Sequence, residues 1–505
     1  MKNHLILATA LLFVISSFGL FQAATADTSK PTAPKPKTLT LQQIDDIFAA
    51  AKIGDWEQVI NALKKNPELA KSTDDAKKTL LQYAVEASNA PAVEALLKAG
   101  ADIAITDKQG MTPLHTASEI GSLDVVKILL EYKPDISARN KLKQTPLILA
   151  ALNGHAKVAA LLIENGATSG VKLIDAVISG DEEKIKALLG DKPEIDQEDM
   201  VTGGTALHWA ARAGNTALCK ILLSKGASVE STDKDRNTPL HYAATLASPE
   251  TLKVLVDAGG NIHAKNKINR TVLFFACEAS QTEIVRYLIT KDASVTDVDR
   301  LKFTPLHLAA KAGNSKIAKM LVGKGASVKA RALRNTTVLH LGVESGDTAT
   351  VGFLLEKDAD IKRSNSKHFS ALGIATNRRD VAMIKFLLSR GAKPGWDGGM
   401  TAFGVAVTNG DIPMMKALMN GASKISRSRC GQTWLLHMAV AKNDKEMAGF
   451  LLTHGIRKNE LDNRRRSAAD LAYEKQYYDL AKFLSKRGSH LYKYRQEAEH
   501  NKKYR

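Results

Sequence analysis

Thr112-Pro113-Leu114-His115 returns as Thr238-Pro239-Leu240-His241 and again as Thr304-Pro305-Leu306-His307. Looser copies are Thr145-Pro146-Leu147-Ile148, Thr205-Ala206-Leu207-His208, Thr271-Val272-Leu273-Phe274 and Thr337-Val338-Leu339-His340. The fourth residue falls at 208, 241, 274, 307, 340 and 373, a step of 33 each time. Self-similarity at a fixed period of this size marks a chain made by stacking one small module.

The module reads as two helices and an extended finger. Thr112 caps the free amides of a first helix, and Pro113 suits its first turn. Leu114, Ala117 and Ser118 share one face, and Gly121 stops the helix. Val125, Val126, Leu129 and Leu130 then fall at helical spacing on a second helix. A turn such as Gly100-Ala101-Asp102, Gly226-Ala227-Ser228 or Gly325-Ala326-Ser327 closes the unit, and a finger such as 103–110 leads to the next. One such pair leaves an apolar face bare, and only a neighbour covers it.

A 33-residue period opening on T-P-L-H resembles the ankyrin repeat. The resemblance implies an all-α solenoid with short β-hairpin-like fingers. It also implies that the recurring histidine is structural, bonding within its turn, and that partners lie on the concave side, against the finger tips and first helices. The equivalent position falls at Phe48, Gln82, His115, Ile148, Ile174, His208, His241, Phe274, His307, His340, Gly373, Gly404, His437 and Asp470. Fourteen units at ~10 Å per layer predict an array roughly 140 Å long. The first unit, 44–63, lacks the motif and reads as an N-terminal cap; the last, 468–484, reads as a polar C-terminal cap. The step from Ile148 to Ile174 is only 26 and that from Gly373 to Gly404 is 31, so the stack is expected to bend or loosen there. Near Thr433 an extra residue puts Trp434 in the usual threonine place.

The ends differ from the array. Lys2, the apolar run 5–21 and the small residues of Ala24-Thr25-Ala26 read as a signal peptide, residues 1–26, cut before Asp27. The alternative is an uncleaved anchor. Residues 27–41 carry Pro31, Pro34 and Pro36 among lysines and read as a linker. The solenoid is expected over 42–490 and a basic tail over 491–505. No later stretch approaches the ~20 apolar residues of a membrane span. The expected location is periplasmic or secreted. Three cysteines at wide spacing form no disulfide framework: Cys219 and Cys277 read as core, Cys430 as an exposed thiol in a turn.

Catalytic signatures are missing. No phosphate loop, nucleophile elbow or dinucleotide fingerprint occurs, and the acidic pairs Asp45-Asp46 and Glu182-Glu183 converge with nothing. Histidines one layer apart, ~10 Å, are too far from one another to share a zinc ion. The sequence reads as no enzyme, with no cofactor and no metal.

Charge is the remaining signal. The chain carries a net +18, and about +17 once Lys2 leaves with the leader. Five fingers, 139–144, 265–270, 329–336, 362–368 and 427–432, contain no acid. They supply Arg139, Lys141, Lys143, Lys265, Lys267, Arg270, Lys329, Arg331, Arg334, Lys362, Arg363, Lys367, Arg427 and Arg429, whereas the fingers near Asp107, Asp233 and Asp299 are mixed. Such a field steers anionic partners. Trp396, between glycines on a finger, is a further candidate anchor. The expected function is a non-catalytic, exported scaffold, read as a monomer, that holds an acidic protein. Alternatives are an envelope-associated protein binding anionic polymer or lipid through the basic edge, and a secreted host-directed effector. Nucleic acid fits neither the leader nor the lack of aromatics among the basic residues.

Overall fold

The computed structural model describes residues 40–190, 194–246, 249–394, 396–397, 400–422, 425 and 435–486. The leader, most of the linker, Arg427, Arg429, Cys430, Trp434 and the basic tail lie outside the described residues. The rest forms twenty-eight α-helices taken in consecutive pairs, with two short 3₁₀ turns and one two-residue strand pair, Trp396–Asp397 with Met400–Thr401. First helices pack on first helices and second helices on second helices, giving two parallel rows with the core between them. None of these helices is long and apolar enough to cross a membrane.

Each element follows from its caps. In the unit opening at Thr112, the threonine caps Pro113–Ile120 and Gly121 ends it in the left-handed region at φ 83°. The second helices use a device that the period alone did not disclose. Asn215, Asn314, Asp380 and Asp444 each accept an amide of the following helix through the side chain. Ala117, Ala150, Ala210, Ala243, Ala276 and Ala309 line the first-helix row without exposure, so those helices approach closely. Across from them, Val126 with Leu129, Val285 with Leu288 and Ala318 with Leu321 are fully buried on the second row. Cys219 and Cys277 belong to this core, and burial pushes the Cys219 thiol up to about 12.

One apolar cluster runs without interruption from Ile47 to Leu484. The shortened unit therefore does not loosen the stack. Where its finger is cut, Asp175 accepts from the Thr168 hydroxyl at 2.6 Å and the Ser169 amide at 2.7 Å. The Arg212 guanidinium then reaches past that unit to the Leu152 carbonyl at 2.6 and 3.1 Å.

Candidate functional site

The recurring histidine forms a node that is wider than its own turn. His115 Nδ1 accepts from the Thr112 amide at 3.1 Å, so its neutral form carries the proton on Nε2, which donates to the Gln144 carbonyl of the next unit at 3.1 Å. His208, His241 and His437 bond the carbonyls of Asn237, Arg270 and Arg466 in the same register. Burial holds these imidazoles well below their ordinary pKa, and His241 and His307 fall to about 4. Among the described residues no cluster of histidine, cysteine or carboxylate has metal-binding geometry.

The fingers are hydrogen-bonded turns. Asp107 Oδ1 accepts from the amides of Gln109 and Met111 at 2.8 Å, and Asp233 and Asp299 do the same in their own fingers. Asn140, Asn266 and Asn365 perform the identical task without charge. This is why those fingers contain no acid: the turn needs an oxygen acceptor, and asparagine supplies it neutrally. Conversely, Asp233 and Asp299 are buried inside their turns, so a mixed finger still presents cations outward, here Arg300 and Lys302. Adjacent tips are laced by backbone bonds, Lys267 N to Asp235 O, Arg300 N to Ile268 O, Leu333 N to Leu301 O and Ser366 N to Arg334 O, each 2.7–2.9 Å.

The finger at 332 departs from this rule. Ala332 offers no acceptor, a 3₁₀ turn Leu333–Asn335 replaces the usual loop, and Arg334 (φ 61°) and Asn335 (φ 55°) are both left-handed. The preceding His307 loses its cross-unit bond there: Nε2 has no hydrogen-bond partner, although the Thr336 carbonyl still lies near enough to oppose the lowering of its pKa.

The fourteen cations singled out from the sequence are not equivalent. Lys265 pairs with Asp297 at 3.1 Å. Arg270 is drawn inward, bonding Asp299 at 3.1 Å and Glu278 at 3.0 Å with its side chain only 18% exposed. Replacing Arg270 by Ala leaves the Asp299 carboxylate buried without its counter-ion and should lower stability by about 2 kcal/mol in urea titration. Arg139, Lys141, Lys143, Lys267, Lys329, Arg331, Lys362 and Lys367 are exposed on their fingers. Lys329, Arg331 and Arg363 share a small hollow of about 150 Å³ with Asp360. Arg334 and Lys367 meet in a larger groove of about 580 Å³ between fingers and first helices, where Lys311 and Arg378 join them. Lys311 and Arg378 escaped the sequence reading because they sit on or just beyond helices, not on fingers. Trp396 lies in the strand pair; its side chain is outside the described residues.

A family model of ankyrin repeats, built of three copies, matches residues 47–140, 81–172, 173–266, 248–332 and 403–494. Among curated proteins, diacylglycerol kinase iota of Homo sapiens and of Rattus norvegicus are each 41% identical over 66 residues, and that of Mus musculus is 39% identical. The match covers 13% of this chain and 6% of each kinase, so this chain spans a small fraction of those relatives' length. Sixty-six residues is the length of two of the units described above.

Proposed function

Because the chain belongs to the ankyrin-repeat family, we propose that it is a non-catalytic scaffold that holds an acidic protein on its finger and first-helix face. Repeats of this family generally mediate protein–protein interaction, and a laced row of rigid tips is a broad platform of that kind. The observation that carries the reading is the sorting of charge along the fingers. Turn carboxylates are mostly tucked into their turns, as at Asp233 and Asp299, or replaced by asparagine, with Asp107 the exposed exception, while lysines and arginines stand outward. A row of this sign accelerates and selects acidic partners. The basic leader and the small-residue cleavage site support export, so the partner is sought in the envelope or outside the cell.

The experiment is capture on the immobilised full chain from envelope and medium fractions, followed by titration of the purified captured protein. Its affinity should fall about tenfold or more between low and high ionic strength, as exposed charge pairs are screened. Reversing Lys267, Arg331, Arg334 and Lys367 together should abolish binding while the circular dichroism spectrum stays unchanged. Salt-independent binding that survives the reversal would remove the charge-based reading.

A further inference from the structure

Three units share an ion pair between finger and first helix. The residue before the capping hydroxyl is basic, and a glutamate lies eight positions on: Lys78 with Glu86, Arg270 with Glu278 at 3.0 Å, and Arg466 with Glu474 at 2.8 Å. Most other units lack the pair, among them the three consecutive units between 303 and 377. The corresponding residues are Phe303 and Lys311, Thr336 and Glu344, and Phe369 and Asn377. Across these three units lies the groove of about 580 Å³. Lys311, Arg334, Lys367 and Arg378 line it against the single acid Glu344, and none of these four cations has an ion-pair partner among the described residues. The neighbouring fingers each hold one left-handed residue, Lys302 and His368; the finger at 332 holds two, and the first of them, Arg334, belongs to the groove's lining.

We propose that this groove seats one acidic segment of the protein partner, its carboxylates on Lys311, Arg334, Lys367 and Arg378 and an apolar side chain on Phe369. The assignment rests on the scaffold reading above and narrows it to one locus and one ligand chemistry. A guanidinium takes a carboxylate in a bidentate fork, and two arginines framed by two lysines fit closely spaced Asp or Glu side chains. A flat anionic membrane fits less well. It would touch the exposed tips Leu301 and Leu333 but could not enter the recess behind them.

The test uses the full chain and a phage-displayed library of twelve-residue peptides, with phosphatidylglycerol vesicles as the lipid probe. Selected peptides should be rich in Asp and Glu with an apolar residue among them. The triple reversal Arg334→Glu, Lys367→Glu, Arg378→Glu should weaken them about a hundredfold or more, whereas the equal charge change Arg139→Glu, Lys141→Glu, Lys143→Glu should leave them bound. Arg334→Gly keeps the finger's φ without strain, so it should not lower the unfolding midpoint, yet should weaken binding about tenfold. Acidic peptides that bind the groove reversal as well as they bind the wild type would overturn this site and leave the broader basic-edge reading standing. A library that yields no acidic peptides overturns the site, and salt-insensitive capture of every partner besides would overturn the broader reading with it. Co-sedimentation with the vesicles that the groove reversal abolishes would overturn the site in favour of lipid.

Discussion

Lowering the pH from 7 to 4 is expected to destabilise the middle units, those of His241 to His307, by about 6 kcal/mol before any carboxylate with a depressed pKa contributes. His241 and His307 titrate near 6.5 when unfolded and near 4 when folded. Burial is the first cause of the lowering. The hydrogen-bond geometry adds a second reason, because Nδ1 accepts the Thr238 or Thr304 amide and a proton placed there would meet that N–H head on. Between pH 6.5 and 4 the unfolded chain holds more protons than the folded one, so stability falls with acidification, by about 3 kcal/mol per histidine at pH 4. The contribution is intact above 6.5 and is lost as the pH falls to the folded value. His115, His208 and His437 are lowered too and add in the same direction. Asp74, held near 2, acts in a lower window and does not overlap. Urea melts at half-unit pH steps should show a slope near pH 5 of about 2.4 kcal/mol per unit, the signature of nearly two protons taken up on unfolding. His241→Gln offers the control, since Gln82 already fills this position and closes its own capping box with Thr79. That variant should lose about one proton of the slope, and an unchanged slope would show that the histidine nodes do not govern the acid response.

What the sequence disclosed and what it hid divide along contact range. Thr112 and Pro113 announce a helix start, and Gly121 its end, because caps act within three or four residues. The period gave the stacking of like on like. Contacts from one unit to the next stayed hidden although their register is regular. The bond from His115 to Gln144 spans 29 residues, and the tip-to-tip bonds need two fingers side by side before they exist. The same limit made Arg270 look like a free cation, when Asp299 of the following finger draws it inward. Charge counting also misjudged the finger at 299, since an aspartate buried in its own turn contributes nothing outward. That misjudgement had a legible remedy: aspartate and asparagine alternate at one turn position in successive fingers, 233, 266 and 299 among them. The groove could not have been foreseen from any one unit, because its four cations, Lys311, Arg334, Lys367 and Arg378, come from three successive units.

Phe274→Ala should remove about 3–5 kcal/mol from the middle of the array and leave both ends folded. Phe274 stands where His208, His241 and His307 stand in other units, and it is fully buried. Thr271 makes no side-chain capping bond and Phe274 offers no ring nitrogen, so this unit depends on apolar packing where its neighbours depend on a hydrogen-bonded node. Truncation to Ala empties that space, and two rows of close-packed helices relax poorly into it. Around Phe274 the helices pack on those of the adjoining units, so the loss stays local. Hydrogen exchange should therefore report lost protection in Val272–Glu278 and Thr282–Thr290 and in the adjoining pairs, with Leu80–Glu86 and Ala468–Glu474 unchanged. Phe48→Ala removes the same ring from the first unit, which among the described residues has a neighbour on one side only, and should fray Leu41–Ile53 without reaching the centre. A uniform loss of protection along the whole chain in either variant would mean that the units unfold as one body, and the nearest-neighbour account of this array would then be wrong.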